Sequence, residues 1–361
     1  MKYLLLTTTI LLMLMSNCLA KMSDGIKAYK SGDYEAAFHI FLPMTVLEDK
    51  AQNYIDLIHQ KGLNQFKSGD FISALNTFLL IGPHGYADVE KHYPAICSEG
   101  LKALKKKKYK YAKKLLLPLA EYGNADAQFH VAMMNKNGFG VKMDLAAAVN
   151  WFKKASEQGH VQSQYELAEM YRKGNGVQKN YRVALNLYKL ADSYGHAGAQ
   201  NRIGQMYELG EGVDIGYAIA YMLYKKASDQ GLPEAQFNMG MMYLDGKGVT
   251  ADSTIAMRYL KKASETGYTN AIFVIGRIFY EGLGVEKDLS AALEWFKNAA
   301  KSGHAVAQYK LGQMYKNGQG VTPNLKIAET WLKKAADQNY IGAQNDLKKQ
   351  SPGTIPQSRE I

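Results

Sequence analysis

Cysteine is nearly absent from this chain: Cys18 and Cys97 are the two in 361 residues. Cys18 falls in the leading apolar stretch. The one thiol left beyond it cannot form a disulfide within the chain, so packing alone must hold the fold. Tryptophan occurs three times and proline eight. Beyond residue 20 no run is apolar enough to span a bilayer, which takes about 20 residues. Acidic residues are outnumbered, 33 against 44 basic ones, for a formal net charge of +11. That balance favours acidic proteins, anionic lipid or nucleic acid as partners, without choosing among them. Also missing are Gly-x-Ser-x-Gly, His-Glu-x-x-His and Ser-x-x-Lys, and the carboxylates are scattered rather than paired. No catalytic residue, metal ligand or cofactor is expected. With 47% hydrophobic and 21% charged residues, the composition is that of a folded chain.

Residues 1–20 read as an export signal. Lys2 is followed by an apolar run from Leu4 to Met15 and by a small residue, Ala20, at the expected cleavage point. Asn17 disfavours lipid attachment at Cys18, because a small residue is expected before a lipidated cysteine. The expected location is periplasmic or secreted.

Residues 125–340 contain six copies of a 36-residue pattern without insertion or deletion. A fixed period of this size predicts a solenoid, in which each unit buries its apolar face against its neighbours. Within a copy, apolar and small residues such as Ala307, Leu311, Gly312 and Tyr315 have the spacing of one helix face. Gly-x-Gly-Val follows in every copy, from Gly138/Gly140 to Gly318/Gly320, and its first glycine should end helix A left-handed. Asp144, Asn180, Asp252, Asp288 and Asn324 are placed to cap helix B, with Asp214 standing in where the third copy has Gly216. Helix B is expected to bury an alanine and a bulky residue such as Trp151, Trp295 or Trp331. His160, His196 and His304 share one slot between units and read as loop residues, too far apart to share a metal. Residues 21–124 carry a looser version, with Gly32-Asp33 echoed by Gly69-Asp70, and read as tetratricopeptide-like hairpins capping the array. Residues 341–350 read as a capping helix, and the tail from Ser351 as disordered.

The pattern A-x-A-Q-x-x-L-G-x-x-Y-x-x-G-x-G-V…D…A-x-x-W-x-x-x-A-A-x-x-G, nearly complete from Ala305 to Asn339, resembles the Sel-1-like repeat family. The resemblance implies an all-α, right-handed α-solenoid and a non-enzymatic protein–protein scaffold. It also implies roles in host-cell interaction and virulence, or alternatively in assembling envelope and peptidoglycan machinery. Cysteine-rich members carry β-lactamase-like activity, but they rely on a disulfide in each repeat, which this chain cannot form.

Two surfaces follow as candidates. Projected at 100° per residue, helix A has a face that varies from copy to copy: His130, Met133, Glu166, Glu169, Arg202, Gln205, Asn238, Met241, Val274, Arg277, Lys310 and Gln313. In a right-handed stack this face should line the concave, ligand-binding surface. The second is a basic ridge on the outer helices, made of Lys105, Lys106, Lys107 and Lys108, then Lys153, Lys189, Lys225, Lys261, Lys297 and Lys333. It reads mainly as a solvated face, with an anionic membrane as the other partner. Host proteins or envelope enzymes are the expected protein partners, and nucleic acid is not expected in an exported chain.

Overall fold

The computed structural model describes residues 2–45, 49–84 and 86–350, so the tail expected to be disordered lies outside the described residues. Among those residues every regular element is a helix. The chain forms two compact units, Met1–Lys179 and Asn180–Ile361.

In the first unit, α1 (Lys2–Ser31) pairs with α2 (Tyr34–Phe41), α3 (Asp49–Lys67) with α4 (Phe71–Ile81), and α5 (Tyr93–Lys105) with α6 (Tyr109–Tyr122). Short 3-10 turns at Leu42–Met44, Gly82–His84 and Ala87–His92 link these hairpins. Next come α7 (Ala125–Asn137), α8 (Leu145–Glu157) and α9 (Val161–Lys173). The second unit holds α10 (Tyr181–Ser193), α11 (Ala197–Leu209), α12 (Tyr217–Asp229), α13 (Pro233–Asp245) and α14 (Ser253–Glu265). It continues with α15 (Thr269–Glu281), α16 (Leu289–Lys301), α17 (Ala305–Asn317), α18 (Leu325–Asp337) and α19 (Ile341–Gln350). No helix among the described residues is long and apolar enough to cross a membrane.

The repeat works through its turns. Gly210 ends α11 at φ +72, and its N–H closes the helix on the Met206 carbonyl. Two residues on, Gly212 at φ +74 lies so close to Tyr181 that a Cβ would sit 2.4 Å from that residue's own Cβ. The first glycine is thus needed for its dihedral angle. The second is needed also because the preceding repeat leaves no space. Helix B then starts from a capped N-terminus: Asp144, Asn180, Asp252, Asp288 and Asn324 all accept backbone N–H bonds there. Asp214 does not stand in for the missing cap, because Gly216 opens α12 with no side-chain bond.

The bulky core residue of helix B is one position later than the tryptophans suggested. Phe152, Tyr188, Tyr224, Leu260, Phe296 and Leu332 are fully buried, whereas Trp151, Trp295 and Trp331 are half-buried. Lysines cover two of those indoles, Lys154 at 4.5 Å and Lys334 at 4.4 Å from the ring centres. The small helix A residue makes room for the buried one: a Cβ on Gly276 would meet the Phe296 ring at 2.8 Å, and one on Gly312 would meet Leu332 at 2.9 Å.

The three leading hairpins share one core, running from Met22 through Phe38, Phe78 and Leu116 to Met134. Gly32 and Gly69 turn left-handed, and Asp33 and Asp70 cap α2 and α4. The third hairpin breaks that rule. Lys107 takes φ 57 and Lys108 leaves α6 without a side-chain cap, each departure costing about 1 kcal/mol. Cys97 is buried, and desolvation pushes its thiol up to about 11, so it stays protonated and inert.

Candidate protein-binding face

The variable residues of helix A are half-buried or buried rather than openly exposed. In the first unit His130 lies edge-on to Phe129, and burial lowers its imidazole to about 4, so it is neutral. Met133 is half-buried. Glu166 on α9 accepts from Lys136 Nζ on α7 at 2.6 Å. Glu169 is buried and takes Lys173 at 2.7 Å and Arg172 at 3.4 Å.

In the second unit Arg202 donates to Gln205 at 2.6 Å, and Asn238 on α13 donates to Asn201 on α11 at 2.9 Å. Met241 packs against the cluster that contains Val274, which is itself buried. Gln313 on α17 donates to Asp346 on α19. Lateral pairs between successive A helices therefore occupy much of the face, so part of its variation from copy to copy is internal pairing. The last residue-pair slots of the A helices stay exposed, at Asn137, Leu209, Asp245, Glu281 and Asn317.

One junction differs. Tyr280 on α15 has the Lys310 ammonium 5.4 Å and the Lys287 ammonium 5.8 Å from its ring centre. Arg277 lies one turn before Tyr280 on the same helix, which puts the two side by side. Its Nε is buried without a hydrogen-bond partner. Among the described residues neither Arg277, Lys287 nor Lys310 forms an ion pair. Where Lys136 meets a carboxylate at its junction, the cations here are left without such a pair.

The basic ridge is exposed, apart from the half-buried Lys297. Much of it is answered on its own helix: Lys153 pairs with Glu157, Lys225 with Asp229, Lys297 with Glu294 and Lys333 with Glu329. Lys189 and Lys261 are exposed. Lys105 to Lys108 are exposed and form no ion pair among the described residues.

Two residue sets with structural work were not recognised in the sequence. The histidines between units cap helices: the Nδ1 atoms of His160, His196 and His304 accept the N–H of Ser163, Ala199 and Ala307 at 3.1, 3.0 and 3.1 Å. Asn124 does the same for α7, bonding Ala127 N–H at 2.9 Å. That asparagine in the same slot was the available signal. The second set is a ladder of glutamine pairs, each joining an exposed glutamine to a buried one. Gln158 donates to Gln128, Gln230 to Gln200 and Gln338 to Gln308, each at 2.8 Å. Gln128 and Gln308 in turn donate to the carbonyls of Ala120 and Ala300 in the preceding helix B, both at 3.1 Å. No group of three or more metal-ligating side chains comes together among the described residues.

A family model for the Sel1 repeat matches residues 125–160, 161–191, 197–232, 233–268, 269–304 and 305–340. A Sel1 repeat protein from Oxalobacter formigenes is 31% identical with a TM-score of 0.62, over 66% of this chain and 96% of that one. The antigen c5321, described as a protective antigen present in uropathogenic Escherichia coli strains and displaying an SLR fold, is 30% identical with a TM-score of 0.59. That match covers 82% of this chain and 66% of c5321. No curated protein matches the chain.

Proposed function

Because this chain belongs to the Sel1 repeat family, whose members generally mediate protein–protein interaction and are typically non-catalytic, we propose that it is an exported scaffold gripping an acidic segment of a partner protein. The observation that carries this reading is the unanswered basic junction of Arg277, Lys287 and Lys310 around Tyr280. A partner carboxylate there would pair with cations that meet no acidic group within the described residues, in charge-assisted hydrogen bonds of the stronger kind.

Export rests on the leading sequence. Met22 is the first buried side chain among those described, so cleavage after Ala20 removes only the partly buried Cys18 contact from the described core. A host-facing role is supported by the likeness to c5321, a protective antigen of uropathogenic strains. The test is affinity capture with residues 21–350 from host-cell lysate and, in parallel, from bacterial envelope extract. The control carries Arg277→Glu and Lys310→Glu and is checked for an unchanged circular-dichroism melt. A host protein held by the native chain and lost by the control is the expected outcome. Envelope enzymes lost in the same way would make the protein an assembly factor instead. Equal capture by both chains would refute the basic junction as the grip.

A further inference from the structure

The turn between α5 and α6 is built against its own stability. In the two preceding hairpins this turn is Gly32-Asp33 and Gly69-Asp70, a left-handed glycine followed by a capping aspartate. Here Lys107 is forced left-handed and Lys108 caps nothing. Cations at the start of α6 also oppose the helix dipole, which favours negative charge there. Strain kept at one turn and absent from its two equivalents raises the question of what else the turn does.

The same tip carries apolar side chains. Tyr109, the first residue of α6, stacks on Phe139 with ring centres 5.4 Å apart and planes 5° from parallel. Phe139 is 41% exposed and Met143, in the same turn of the first repeat, 61%. Lys142 beside Met143 is exposed as well. A tip with unpaired lysines around protruding Phe and Met has the chemistry of interfacial membrane binding, with basic groups at headgroup phosphates and apolar ones in the acyl boundary. A purely polar polyanion would use the lysines and leave Phe139 and Met143 in water.

We propose that the Lys105–Lys108 turn and the Phe139–Met143 loop together dock this protein on a bilayer containing anionic headgroups. The test is vesicle flotation of the full chain with phosphatidylcholine vesicles and with vesicles that also contain phosphatidylglycerol. Binding is expected only to the anionic vesicles, falling as salt screens the exposed charges. The variant Lys107→Gly with Lys108→Asp restores the turn of the two earlier hairpins. It is expected to raise the melting temperature while weakening vesicle binding by at least about tenfold, so misfolding cannot explain the loss. Phe139→Ser with Met143→Ser is expected to abolish whatever binding survives at high salt. Unchanged binding by the Gly-Asp variant, equal binding to neutral vesicles, or equally tight binding to soluble polyglutamate or RNA would overturn the proposal.

Discussion

Thr266→Gln should stabilise the protein, although it places a longer polar side chain at a helix end. In the first, third and sixth repeats a glutamine just past helix B donates to the buried glutamine of helix A. In the fourth repeat Thr266 holds that place, and Gln236 Oε1 is buried without a partner. An unsatisfied buried acceptor costs about 1–3 kcal/mol, and a restored hydrogen bond contributes about 0.5–1.5 kcal/mol. The substitution gives up the Thr266 hydroxyl bond to the Ala263 carbonyl, 2.7 Å long, which is partly solvated and smaller in effect. The backbone needs no change, since Gln158, Gln230 and Gln338 are also the C-cap residues of their helices. The expected net gain is about 1 kcal/mol. It should appear as slower amide exchange across α13 and α14 and a rise of about 1–3 °C in melting temperature. The mirror variant Gln230→Thr orphans Gln200 and should cost about 1–2 kcal/mol. If Gln230→Thr proves costly while Thr266→Gln gives no gain, the orphaned acceptor is not what limits the fourth repeat, and the ladder argument fails there.

Two further tests address the turns and the histidine caps. Gly212→Ala should cost over about 3 kcal/mol, combining left-handed strain with a Cβ 2.4 Å from the Tyr181 Cβ. Gly231→Ala, at φ +85 with nothing within 4 Å, should cost only the strain, about 1–2 kcal/mol; equal urea midpoints would refute the close-approach account. The His160 and His304 imidazoles are held below their ordinary pKa, chiefly by burial, and His130 falls to about 4. A folded pKa below the unfolded one means the unfolded chain binds protons first. Stability is then full above about pH 6.5 and is lost as pH falls toward the folded values. His304→Asn keeps a capping acceptor and removes the titration, so it should flatten part of the decline in melting temperature between pH 7 and pH 5; an unchanged decline would clear His304 of it.

Much of the array is legible in its sequence because period, turn glycines and short polar caps are local signals. Gly138 and Asp144 announce their roles by type and spacing alone. The misread residues are those whose role depends on a neighbour. A 3.6-residue period cannot separate Trp151 from Phe152, which differ by one step around the helix, and size favours the wrong one. Projection of a single helix turns Glu166 outward, whereas Lys136 of the preceding A helix covers it. Gln128 is polar and lies where a lone helix would show it to water, yet it is buried with its amide satisfied at both ends. His304 caps a helix through a ring nitrogen, a role usually filled by Ser, Thr, Asp or Asn.

Near-identical units invite a particular accident during folding: one unit can settle against the wrong neighbour, since the alanines and glycines of any copy fit those of any other. The lateral pairs distinguish the copies. Lys136 meets Glu166, Asn201 meets Asn238, Tyr280 meets Lys310 and Gln313 meets Asp346. The fifth copy lacks both ladder glutamines, with Ile272 and Ser302 in their places. A unit displaced by one place would set mismatched charges side by side and press Ile272 against an amide. These contacts act as addresses, and they keep an array of interchangeable parts in a single order.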